Sequence, residues 1–142
     1  TRPRGRIVMG NWIPNDPTLV AQILKTSAAF SPPPPEGFIS PMTWGIEGNV
    51  IERFVGAGVA KEKVTFVRDT YTFKAAVPPS ALLATFRNYY GPTMNAFDAA
   101  EKNGRSAELQ RELEALFSAQ NQSGNQKATS IPATFLRVTI TV

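Results

Sequence analysis

The sequence predicts an α/β domain whose strands are separated from one another by helices. Three observations carry that reading. First, three runs are strand-like: a short apolar run over residues 5–9, KVTFVRDTYTFKA over 63–75, and TFLRVTITV over 134–142. Second, the stretches between them repeat their apolar residues at helical spacing. Third, proline- and glycine-rich punctuation divides those stretches into four or five helices. Strands joined through helices argue for at least partly parallel pairing.

The elements follow in order. The first strand ends at Gly10, and NDPTLVAQILKTSAAF then reads as a helix. Asp16 is placed to cap it, and Pro17 suits a first helical position, where no N–H is needed. Leu19, Val20, Ile23, Leu24 and Phe30 share one face. SPPPPEG over 31–37 stops this helix and reads as a stiff polyproline connector. A second helix is expected over 44–55, with Ile46, Val50, Ile51 and Phe54 inward. GAG at 56–58 follows a helix rather than a strand, so it is no dinucleotide loop; Gly56 or Gly58 is expected as a left-handed helix cap.

Strand 63–75 carries Val64 and Phe66 on one face and Val67, Tyr71 and Phe73 on the other, which predicts cover on both sides for part of its length. Pro78 and Pro79 open a helix over 80–90, and Pro92 is expected to break it. Further helices are expected from Thr93 to Lys102 and from Ser106 to about Ala119, the latter with Leu109, Leu113, Leu116 and Phe117 on one face. QNQSGNQKATS over 120–130 reads as a polar loop, and its Asn121 sequon is set aside. Leu136, Val138, Ile140 and Val142 alternate as a strand should.

Composition narrows the function. At 142 residues, 42% hydrophobic and 18% charged, the chain is a single globular unit over 1–142. Cysteine and histidine are both absent, which removes a disulfide framework, a thiolate nucleophile, the commonest general base and the commonest metal ligand. The net charge is +4, with Arg2, Arg4 and Arg6 clustered; no aromatic–basic interleaving follows, so no nucleic-acid partner is expected. No apolar run is long enough to span a bilayer and no signal peptide is visible, so a cytoplasmic location is expected.

RPRGRIVMGNW resembles the L-(K/R)-P-G-G-x-(I/L) turn and strand that lead into the fifth strand of class I S-adenosylmethionine-dependent methyltransferases. KVTFVRDTYTF is similar to their sixth strand, and ATFLRVTITV to their seventh, antiparallel one. The segment LLATFRNYYGPTMNAFDAAEKNGRSAELQRELEALF resembles the helical substrate-covering insertion of the ubiquinone/menaquinone type, here within 78–120. The resemblance covers essentially the whole chain. It implies a partial Rossmann-like methyltransferase fold of about three strands, the last antiparallel, with a helical insertion between the last two.

The sequence departs from that family in two respects. Arg4 stands where the family has glycine and Thr1 where it has leucine. The family's E-x-G-x-G loop and the acidic residue after its second strand, which hold the cofactor, have no counterpart here. The resemblance therefore implies the C-terminal half of such an enzyme, inactive alone. S-adenosylmethionine would be bound mainly by an N-terminal half. The expected partners are that half or a second copy of the chain, and a small-molecule acceptor.

Methyl transfer is an in-line displacement, so the protein chiefly positions the acceptor and excludes water, and a base is needed only where the acceptor loses a proton. No catalytic or metal-binding residue is assigned: Asp16 reads as a cap, and Asp69 as a strand residue paired with Arg68 or Lys74. The substrate-binding candidates are Asn11 and Trp12 beyond the first strand, Arg87, Tyr89 and Tyr90 in RNYYGPT, and Trp44. Trp12 reads as a wall over the acceptor or as core packing, and Trp44 as a cavity wall or a core anchor. The rival function is a stand-alone non-enzymatic module that binds an apolar ligand or a protein.

Overall fold

A computed structural model describes residues 4–142. Thr1 and Arg2 lie outside them. The strands are β1 (Arg6–Trp12), β2 (Val64–Ala75) and β3 (Thr129–Thr141). The helices are α1 (Leu19–Ala28), α2 (Glu47–Gly56), α3 (Pro79–Tyr89), α4 (Gly91–Lys102) and α5 (Ser106–Gln120), with short 3₁₀ turns at Pro41–Gly45 and Lys61–Lys63. The described chain is thus α/β, with three strands and five helices.

The sheet order is β1-β3-β2, and both neighbours of β3 run antiparallel to it. The expected parallel pairing is therefore corrected: β1 and β2 point the same way but are never adjacent. Helical crossovers between β1 and β2 do join parallel strands. β3 then inserts between them and takes up both ladders.

β3 serves two cores. Ile131 and Ala133 lie on one face, packed with Leu19, Ile23, Leu83, Leu109, Leu113 and Phe117 from α1, α3 and α5, and with α4. Leu136, Val138 and Ile140 lie on the opposite face, packed with Val50 of α2 and with Ile13 and Val64. Helices thus cover both faces, but at opposite ends. The uncovered end of the first face exposes Val8 (61%) and Val67 (47%) beside Arg137. The expectation that β2 is covered on both sides holds for Val64 and Phe66 on one face and Phe73 on the other.

β3 begins earlier than the sequence pattern suggested, and its edge explains how. Pro132 sits in the ladder to β2, opposite Thr72, beyond the end of β1. On that edge no strand requires its missing N–H. The alternate donors along the same edge find side chains instead. Ser130 N–H donates to Asn121 Oδ1 at 2.9 Å, and Thr134 N–H donates to Thr18 Oγ1 at 2.7 Å. Thr18→Val removes that acceptor and orphans a half-buried amide. It should cost roughly 1–3 kcal/mol, read as a lowered urea midpoint. An unchanged midpoint would mean the edge is satisfied otherwise.

Several local expectations change. Pro17 precedes α1, because Thr18 is its cap residue; the buried Asp16 carboxylate accepts from Thr18 N–H at 2.9 Å and fixes the approach instead. The second helix is split, since Ile46 is extended and 42% exposed between a 3₁₀ turn and α2. Pro92 opens α4 as its second residue, a position whose N–H has no acceptor within the helix. Gly58 does take the left-handed conformation (φ +84°), and Val59 N–H reaches Phe54 O at 2.9 Å in a Schellman closure. Asp69 pairs with Arg137 across the sheet at 3.5 Å, rather than with Arg68 or Lys74.

Candidate functional site

The carboxyl end of β1 delivers Gly10, Asn11 and Trp12 to the wall of a cleft of about 580 Å³, within the range of small-molecule sites. Asn11 and Trp12 are the last residues of the strand itself rather than of a following loop. The chain then turns through Pro14 and Asn15, the latter at φ +60°, and returns as α1. Ala21, Leu24, Lys25 and Ala28 of α1 line the cleft along one helical stripe. Ser40–Met42 form a third side, where Ser40 Oγ accepts from Met42 N–H at 3.2 Å. Tyr90 and Pro92, at the α3–α4 junction, form the fourth. The Tyr90 carbonyl accepts from Thr93 and Met94 N–H at 2.9 and 3.0 Å, which fixes the tyrosine where α4 begins.

One glycine makes this arrangement possible. Gly45 is buried against the end of β1. A Cβ there would lie 2.8 Å from the Trp12 carbonyl carbon and 3.0 Å from Ile13 Cα, and closer still to the Trp12 oxygen. Only a residue without a side chain lets the 40–45 segment close onto the strand that carries Trp12.

The electrostatics are simple. Among the described residues, Lys25 is the one basic side chain in the lining, and no carboxylate lines the cleft. Burial raises the Tyr90 phenol pKa above its ordinary value, with the neighbouring Trp12 indole pulling partly the other way, so Tyr90 is a neutral wall at physiological pH. Trp12 stands edge-on to Phe135, centroids 6.2 Å apart, and Tyr90 edge-on to Phe86 at 5.3 Å. The cleft thus offers two aromatic rings held by packing, a methionine, and one cation at the rim. Such a lining can hold and orient a flat apolar molecule. Among the described residues, no group of three or more Asp, Glu, His or Cys side chains is placed to hold a metal ion. No helix of the described residues is long and apolar enough to cross a membrane.

Of the six residues singled out from sequence, the fold brings together Asn11, Trp12 and Tyr90. Trp44 packs on the other core, edge-on to Phe54 at 6.3 Å and beneath the Arg53 guanidinium at 4.3 Å. Arg87 lies over Phe97 at 4.2 Å and donates to Gln110 Oε1 at 3.1 Å, tying α3 to α4 and α5. Tyr89 is 81% exposed at the end of α3 and lines no part of the cleft. Sequence reasoning missed Lys25 and Met42. The spacing of Ala21, Leu24, Lys25 and Ala28 held a signal for the first, since it marks a second, weaker stripe on α1 beside its core face.

The cleft opens into a shallower groove of about 1070 Å³ that shares Leu24, Ala28, Pro41 and Pro92 with it. Phe30 lines the groove beneath the Arg105 guanidinium, 4.2 Å from its ring. Arg105 also pairs with Glu108 at 2.8 Å, which raises the arginine pKa and lowers that of the glutamate. No family model, no curated protein and no solved structure matches the chain.

Proposed function

We propose that this chain is the C-terminal portion of an S-adenosylmethionine-dependent methyltransferase, supplying the substrate-side wall and lid for a small-molecule acceptor. The observation that carries the reading is strand polarity. The resemblance assigns β1 and β2 to strands of one direction and β3 to an antiparallel one, and the sheet has that polarity. A second observation supports it. Arg4, which stands at a glycine of the family's turn, has φ +65°, in the left-handed region that glycine adopts most readily.

The residues present do not by themselves fit the cofactor. The cleft at the carboxyl end of β1 has no carboxylate to accept from a ribose. Those functions belong to an N-terminal half that adds strands beside β1, whose outer edge has no partner among the described residues. The exposed Val8 and Val67 lie on the face such a half, or a second copy, would cover. Within this chain, Trp12 and Tyr90 orient the acceptor and α1 closes the floor, which excludes water from the reacting centre.

The test is calorimetric titration of S-adenosylmethionine into this chain and into a longer protein that includes the coding sequence preceding it. Saturable heat is expected from the longer protein alone. Tight binding by the 142 residues, or none by either protein, would overturn the reading. The rival, a ligand-binding module without cofactor, is favoured by one observation: the cleft combines a mainly apolar lining and two aromatic walls with no carboxylate, among the described residues, to hold a ribose. It predicts small-molecule binding that the longer protein and the cofactor leave unchanged.

A further inference from the structure

We infer that the acceptor cleft takes an aromatic carboxylate, with its ring between Trp12 and Tyr90 and its charge toward Lys25. The inference rests on the reading of the cleft as an acceptor site and names the chemical class of its ligand. Two observations support it. The lining is mainly apolar, with aromatic walls on two sides, which selects a flat hydrophobic body. Among the described residues, Lys25 is the sole charge in that lining, and no carboxylate forms an ion pair with it. The cleft thus offers a cation against no competing negative charge among the described residues. A ligand with one anionic group satisfies it, and a ligand cation does not.

Lys25 is exposed at the rim, so its contribution is that of a solvated ion pair: real at low salt and modest in size. The probes are 2-naphthoate and its neutral analogue 2-naphthamide, titrated into the ¹⁵N-labelled chain. The readouts are the indole resonances of Trp12 and Trp44, assigned with a Trp44→Phe variant. Trp44 packs on the opposite face and serves as an internal control. At low ionic strength both probes should shift the Trp12 resonance and leave Trp44 in place, with naphthoate bound about fivefold more tightly. Lys25→Gln, a change at an exposed helix position, should bring the two affinities together.

Equal affinities in the native chain, or a naphthoate preference that survives in Lys25→Gln, would overturn the inference while leaving the acceptor cleft in place. If neither probe moves Trp12, the inference and the acceptor reading of the cleft fall together.

Discussion

Gly45→Ala should lower the melting temperature of this protein by about 10 °C, corresponding to a loss of roughly 2–4 kcal/mol. The reason is contact with backbone rather than with a movable side chain. The added methyl would fall onto the Trp12 carbonyl and lie 3.0 Å from Ile13 Cα. No rotamer relieves such an overlap, so either the 40–45 segment lifts away or the end of β1 shifts. Both displace Trp12, and the second also disturbs Ile13 in the core beneath α2. The effect should therefore be double: a lower urea midpoint, and a moved Trp12 indole resonance even in the folded protein. Gly48→Ala is the control, because an added Cβ there meets nothing within 4 Å. If Gly45→Ala melts with the native protein, the segment does not press on β1.

Phe117→Ala should be costlier still, about 3–5 kcal/mol. Phe117 is fully buried and is the largest such side chain in the molecule's described core. It meets Phe86 edge-on at 5.5 Å, and Phe86 in turn meets Phe73 at 5.4 Å and Tyr90 at 5.3 Å. Truncation leaves a void at the point where α5, α3 and β2 converge. Chemical denaturation would show the loss, and Phe117→Leu should recover part of it by filling the volume. Because Tyr90 hangs on this aromatic chain, naphthamide affinity should weaken in Phe117→Ala even at temperatures where the variant remains folded. A loss of stability under about 1 kcal/mol would show that the helices rest on other contacts.

The elements legible in the sequence are those set by local forces. α1, α3, α4 and α5 were readable because apolar spacing and proline placement act within a few residues; Pro79 at the first turn of α3 is one case. The pairing of β1 with β3 was not, since Ile7 and Ile140 meet only after the whole chain is arranged. The early half of β3 was hidden by Pro132, a residue that argues against a strand unless the edge it faces is known to lack one. Strand separation by helices predicted direction correctly for β1 and β2 and adjacency wrongly, because a later strand came between them. At the site, Trp12 was found from its place after a strand. Trp44, only one residue from Gly45, was drawn to the opposite core, where Phe54 and Arg53 enclose it.

The central position of β3 has a consequence for how this protein is made. Of the three strands, β1 and β2 are synthesised before the strand that bridges them. At ordinary translation rates β1 waits on the order of ten seconds for β3, the strand that pairs its inner edge. During that time its apolar residues are open to ribosome-associated chaperones or to neighbouring nascent chains. This sheet thus closes only once β3 has emerged, and a holdase acting in that interval should raise the yield of folded protein.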